Sequence, residues 1–337
     1  MKTAATTAAA TIVLVGALAL VGCGGQAPTT AGPSESGKES IRVGLFVANA
    51  FGDHSYYDAA FETIETLEAE HGATVTTYEG KLETQNYGPL LQDAADANEL
   101  VYVVGNQAID ATVEAASQNP DTTFVFVNGV VPSDDVVSVA YRYAESCYAG
   151  GTVAALVTED AGKSAAGFMG GFEAPSIADC EAGYTQGAQA QDPSLSVISS
   201  YVGSFSDPVK GLETATAIGQ QGAYVIYSTA GLSGQGAVKA AEGGTAIAPI
   251  MAAYPTVPEV SPAVVNDDTS VLVLDAADSF VDGTLAKGDV RTYGFKEGAF
   301  TVLYNDAFLS DDQQALVEDV IAQIVAGDIV PEGAPRG

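Results

Sequence analysis

The 337-residue sequence holds only 2 histidines and 3 cysteines, and sets 12 lysines and arginines against 43 aspartates and glutamates. Each shortage closes off a class of function. A Ser-His-Asp relay or a two-histidine metal centre has only His54 and His71 to draw on. His71 stands beside Gly72 at an expected helix end, where a solvated C-terminal residue accounts for it, and His54 is left as a minor candidate for ligand contact. No CxxC spacing points to zinc or redox chemistry. The glycine clusters lack the GxxxxGK[ST] pattern, and GLSGQG at 231–236 fits no dinucleotide fingerprint. A formal charge of −31 repels nucleic acid and anionic lipid head groups. Such acidity reads as adaptation of the surface to a salty medium rather than as a ligand site. No catalytic residue, metal or cofactor is expected.

One of the three cysteines closes an unusual opening segment. Residues 1–22 carry a lysine at position 2 and an apolar run over about 8–21, a secretory signal too short to span a bilayer. The segment ends in Leu20-Val21-Gly22-Cys23, which resembles the lipobox of bacterial lipoproteins. This implies lipidation of Cys23 after the signal is removed, and two or three acyl chains make a durable anchor. Residues 23–40 then read as a flexible Gly/Pro/Ser/Thr tether with a reach on the order of 20 Å. An exported chain folds where disulfides persist, so Cys147 and Cys180 form either a bridge or two buried free thiols.

From residue 41 onward, short apolar runs alternate with amphipathic stretches. Strands are expected at 41–48, 74–78, 100–104, 123–127, 165–169, 196–202, 223–228, 246–251 and 270–274. Helices follow most of them, among them 208–220, which opens with Asp207 as cap and Pro208 at its first position. Repeated strand-helix units imply an α/β fold with parallel sheets covered on both faces, and the count suits two sheets of five or six strands. In such sheets solutes bind beyond the carboxyl ends of the strands. Those ends carry Tyr56 and Tyr57, Asn106, and Phe205 beside glycines and small polar residues. Aromatic faces brought from two lobes can sandwich a flat solute.

The ordered runs FGDHSYYDAAFETI, NPDTTFVFVNGVV, YRYAESCYAGGTVAALVT, GFMGGFEAPSIADCEAGYTQGAQAQDPSLSVISSYVGSFSDPVKGLETA and YVIYSTAGLSGQG resemble the basic membrane protein family of bacterial lipoproteins over about residues 41–305. The resemblance implies a periplasmic-binding-protein-like type I fold. Two doubly wound parallel-sheet lobes would be joined by a three-strand hinge, residues 41–144 plus 256–288 forming one and 145–255 plus 289–330 the other. It also implies a solute in the interlobe cleft, commonly a purine nucleoside, delivered to an ABC importer. Matched residue by residue, the family's D-x-S-F-N segment falls on Asp53, Ser55 and Tyr56, with Tyr57 replacing its asparagine. Its stacking phenylalanine falls on Phe205 and its glycine turn on Gly231. Asn128 stands where an aspartate usually ends a strand, Met251 where an aspartate meets ribose hydroxyls, and Asp278 near the place of a cleft lysine. Losing acceptors and a cation argues for a changed ligand.

The expected protein is therefore an extracytoplasmic solute-binding lipoprotein, anchored to the cell membrane, monomeric, partnered by a small molecule and an ABC permease. A ligand-sensing lipoprotein signalling to a membrane receptor, or a binding protein for a non-nucleoside aromatic or cationic solute, are its rivals.

Overall fold

The computed structural model describes residues 40–52, 56–254 and 256–333, which belong to one folded unit built as two lobes. In the first lobe the chain runs β1 (Arg42–Val47), α1 (Tyr56–Phe61), α2 (Ile64–His71), β2 (Thr74–Glu79), α3 (Tyr87–Ala97), β3 (Leu100–Val104), α4 (Ile109–Gln118), β4 (Thr123–Val127) and β5 (Val136–Tyr141). It then crosses to the second lobe as α5 (Tyr143–Asp160), β6 (Ala165–Gly170), α6 (Pro175–Gln191), β7 (Ser196–Tyr201), α7 (Pro208–Gln220), β8 (Val225–Thr229), α8 (Gln235–Glu242), β9 (Ala248–Ala252) and β10 (Ala263–Asp267). Next, α9 (Thr269–Val281) and β11 (Val290–Tyr293) return to the first lobe, and β12 (Phe300–Tyr304) with α10 (Asp311–Ala326) completes the second.

Each lobe holds a six-stranded sheet, ordered β11-β5-β4-β3-β1-β2 and β12-β10-β9-β8-β6-β7. All pairings are parallel except β12 against β10. The central strands are apolar along their length because helices bury both faces; every residue of β3 and β5 is buried. The chain changes lobes three times, at residues 141–143, 267–269 and 293–300. Arg142 ties the first crossing to the third, donating to Glu145, to Glu297 and to the Thr292 carbonyl.

The structure corrects one expected element and two boundaries. Residues 270–274 are helical, part of α9, where an apolar run of this length suits strand or helix equally. Asp268 caps this helix, its carboxylate accepting from the Ser270 amide at 2.9 Å. Leu272, Val273, Ala276 and Ala277 then fall on one stripe in the first lobe's core. The strand of this region is β10, seven residues earlier, and it pairs with β9 in the second sheet rather than lying in the first lobe. In turn β11 pairs with β5 in the first sheet. The sequence reading distinguishes none of β5, β10, β11 and β12, each only four to six residues long.

Cys147 of α5 and Cys180 of α6 form a disulfide. The two helices pack at backbone contact: a Cβ added to Gly151 would lie 2.1 Å from the Tyr184 carbonyl oxygen, and one on Gly187 2.0 Å from that of Tyr148. Glycine here serves close approach rather than flexibility. The bridge closes a loop with a sequence separation of 33, and chain-entropy scaling assigns it about 4 kcal/mol. Replacing both cysteines by serine is expected to lower unfolding free energy in urea by roughly that amount. An unchanged midpoint would show that glycine-mediated packing alone holds this helix pair.

Candidate ligand-binding site

Because the strands are parallel, their carboxyl ends in each lobe face one edge, and the loops leaving that edge form the rims of a cleft. On the first lobe, Phe51 leaves β1, Asn106 leaves β3 and Asn128 leaves β4. Asn128 adopts φ 62°, a left-handed conformation that asparagine tolerates, and this turn sets its side chain toward the first crossing. Tyr56 and Tyr57 open α1 with their rings 5.1 Å apart. The Tyr56 hydroxyl reaches the Val127 carbonyl at 3.4 Å, at the end of β4. Tyr57 is buried in the core beneath it.

On the second lobe, Phe172 follows β6, Phe205 follows β7 and Gly231 follows β8. Phe172 and Phe205 are 48% and 41% exposed, unusual for so large an apolar ring, and their centroids lie 5.4 Å apart. The Phe205 ring covers Gly171 so closely that an added Cβ would come within 2.2 Å of it. At the end of β8 the Ser228 and Thr229 hydroxyls are buried without a hydrogen-bond partner, polar groups of the kind that gather where something must be bound.

The two rims meet at the crossings. Asn128 donates to the Tyr143 hydroxyl at 3.0 Å, and that hydroxyl donates to Oδ2 of Asp267 at 3.2 Å. Asp267 ends β10 where the chain leaves the second lobe, so this chain of polar groups joins both lobes. Tyr141 lies against Tyr143, with ring centroids 5.2 Å apart, and its hydroxyl lies 3.1 Å from that of Thr269. Phe300 packs on both tyrosines. Burial raises the Tyr143 and Tyr141 hydroxyls well above the ordinary range, with the charge of Asp267 adding to the effect, so both stay protonated donors. Burial also raises the Asp267 carboxyl; hydrogen bonds from its own backbone amide and from Tyr143 work against this, and the charge of the neighbouring Asp268 adds to it.

Several expected site residues thus come together: Tyr56, Asn106 and Asn128 on one rim, Phe205 and Gly231 on the other. Met251 does not join them, being 1% exposed and packed beneath the rim against Val238 and Val264. Asp278 is remote. It lies on α9 with Oδ1 3.8 Å from His71 Nε2, at the end of α2 that leads into the start of β2, the opposite edge of the sheet. Asp53, Ser55 and Cys23 lie outside the described residues. The sequence reading missed Asp267, Tyr143, Tyr141 and Phe172. Asp267 was legible as the acid closing an apolar run, once that run is placed at β10 instead of inside α9. A separate hollow of about 230 Å³ between α3 and α4 is lined by helix faces and gathers no such set. Among the described residues no group of three or more His, Cys, Asp and Glu could hold a metal ion.

Two doubly wound lobes, three crossings and strand ends gathered at one edge of each lobe define the architecture of a two-lobed solute-binding protein. The comparisons agree on the class. The model of the PnrA-like ABC transporter substrate-binding proteins matches residues 40–333, and the chain belongs to that family, one of binding proteins and not of enzymes. It is 24% identical over 329 residues to basic membrane protein A of Borreliella burgdorferi, covering 95% of this chain and 94% of that protein. It is 30% identical over 235 residues to the ABC transporter nucleoside-binding protein BmpA of Lactococcus lactis, covering 68% and 66%. A solved ABC solute-binding protein from Aeropyrum pernix shares the fold with a TM-score of 0.75 at 22% identity, covering 88% of this chain and 94% of that one.

The raised carboxyl has a consequence for stability. In the unfolded chain it titrates at its ordinary value, 3.8, and in the folded chain it holds its proton to higher pH. The ionised group therefore subtracts stability above its folded pKa and subtracts nothing below the ordinary value. Asp267→Asn, which keeps an acceptor for Tyr143, is expected to raise the melting midpoint at pH 7 by a margin that shrinks to zero as pH falls toward 3.8. A variant less stable than the parent at pH 7 would contradict this placement of the carboxylate.

Proposed function

We propose that this substrate-binding protein is lipid-anchored through Cys23 on the extracytoplasmic face of the cell membrane and captures a flat heterocyclic solute, with nucleosides as the leading class, for an ABC permease. The single observation that carries the ligand class is the pair of aromatic rims, Tyr56 on the first lobe and Phe205 on the second, each at strand ends and each incompletely buried. Rings presented from two lobes gain about 1 kcal/mol per stacked face beyond the area buried. They do so only when the lobes close on the solute, which links binding to a hinge at the crossings stapled by Arg142. The similarity to a nucleoside-binding relative supports the same class. The lipobox-like segment and the tether supply the anchor, and no helix among the described residues is long and apolar enough to cross a membrane.

A thermal-shift series of the purified chain with adenosine, guanosine, inosine and their methylated derivatives tests the ligand class. At a hundredfold its dissociation constant, a bound solute adds about 2.7 kcal/mol of stability. Tyr56→Ala and Phe205→Ala are each expected to weaken binding at least about tenfold, or ~1.4 kcal/mol. Phe205, being exposed on the rim, should change the unliganded midpoint little. Normal binding by both variants would mean that the solute sits elsewhere.

A further inference from the structure

The Asp267 carboxylate at the junction of the two rims is held by its own backbone amide and a single neutral side-chain donor. Asp267 accepts from the Tyr143 hydroxyl, and none of the ion pairs among the described residues includes it. Arg142, the basic residue nearest in sequence to Tyr143, spends its guanidinium on Glu145, Glu297 and the Thr292 carbonyl. Taking a carboxylate out of water with no cation to meet it is costly, and natural proteins retain such groups where a partner arrives to compensate them. The surroundings favour a particular arrival. Asp268 adds a second negative charge beside the first, and Tyr141, Tyr143 and Phe300 present ring surfaces around the crossings. Aromatic faces and a carboxylate both attract positive charge and neither attracts negative.

We propose that Asp267 selects a positively charged solute: the ligand taken between Tyr56 and Phe205 is a cationic heterocycle whose charge is met by the Asp267 carboxylate, with Tyr143 and Asn128 fixing that carboxylate in place. This rests on the reading of the cleft as a site for a flat heterocycle and adds the sign of its charge. A neutral ring of the same shape leaves the carboxylate desolvated and unpaired, which is the condition under which polar sites discriminate strongly. An anionic ligand such as a nucleotide meets repulsion from Asp267 and Asp268 together.

The test compares adenosine, 1-methyladenosine, whose purine is positively charged at neutral pH, and AMP, by calorimetric titration of the full chain. The expected order is 1-methyladenosine tighter than adenosine by about tenfold or more, equivalent to ~1.4 kcal/mol, with AMP weakest. Asp267→Asn should bring the two nucleosides to within about twofold of each other, while Phe205→Ala should weaken both alike. If adenosine binds as tightly as its methylated form, the charge preference is refuted and the flat-solute site stands. If the preference survives in Asp267→Asn, the carboxylate has been misassigned. If none of the three binds, the nucleoside reading and the charge preference fall together.

Discussion

Because β1 pairs in parallel with β2 and β3, and β3 with β4, successive strands cannot be joined by tight hairpins; each must return through a helix across a face of the sheet. The second lobe repeats the constraint from β6 to β9. Two results follow from it at once. Both faces of each sheet are covered, which makes the central strands apolar throughout, and all the strand ends that carry loops of variable sequence collect at one edge per lobe. Phe51, Asn106, Asn128, Phe172, Phe205 and Gly231 are near one another or opposite one another for this reason alone. The solute site is an outcome of strand direction before it is an outcome of any particular side chain.

The crossings turn two such edges into one device. Where the chain passes between lobes, at Tyr143, at Asp267 to Thr269 and at Tyr293 to Phe300, it carries tyrosines, carboxylates and phenylalanines that pack and hydrogen-bond with one another. Arg142 binds the first crossing to the third through two carboxylates and a carbonyl. Motion of one lobe against the other must therefore pivot about this polar cluster. Because burial raises the Asp267 carboxyl, ionising it costs the folded chain stability.

Much of the fold was legible in the residues. The alternating strand and helix signals, the Asp207-Pro208 helix start and the aromatics at strand ends all lie where the periodicity puts them; Asp207 caps α7 by accepting from the Val209 and Lys210 amides. The even pair Cys147 and Cys180 pointed to a bridge but left two free thiols open, because helix proximity is a tertiary fact. The run TSVLVL resisted reading because a short stretch dominated by apolar and β-branched residues suits strand and helix alike, and only the cap made by Asp268 and the stripe facing the first lobe's core decide it. That one ambiguity displaced a site residue. With the strand set seven residues late, the place of the cleft lysine fell near Asp278, on an outer helix near His71, and Asp267 passed unnoticed. Met251 was taken for a cleft position on sequence correspondence, but burial against Val238 and Val264 removes it from solute contact.

The central claim is that a solute is gripped between strand-end aromatics of the two lobes and its charge is read by the carboxylate at their junction. A crystal structure of the chain with its bound solute tests this most directly. The account predicts a planar ring between Tyr56 and Phe205, with a positively charged group within hydrogen-bond distance of an Asp267 oxygen whose other contact is the Tyr143 hydroxyl. A solute bound outside the strand-end cleft, or one within it that leaves Asp267 facing no positive charge, would contradict it.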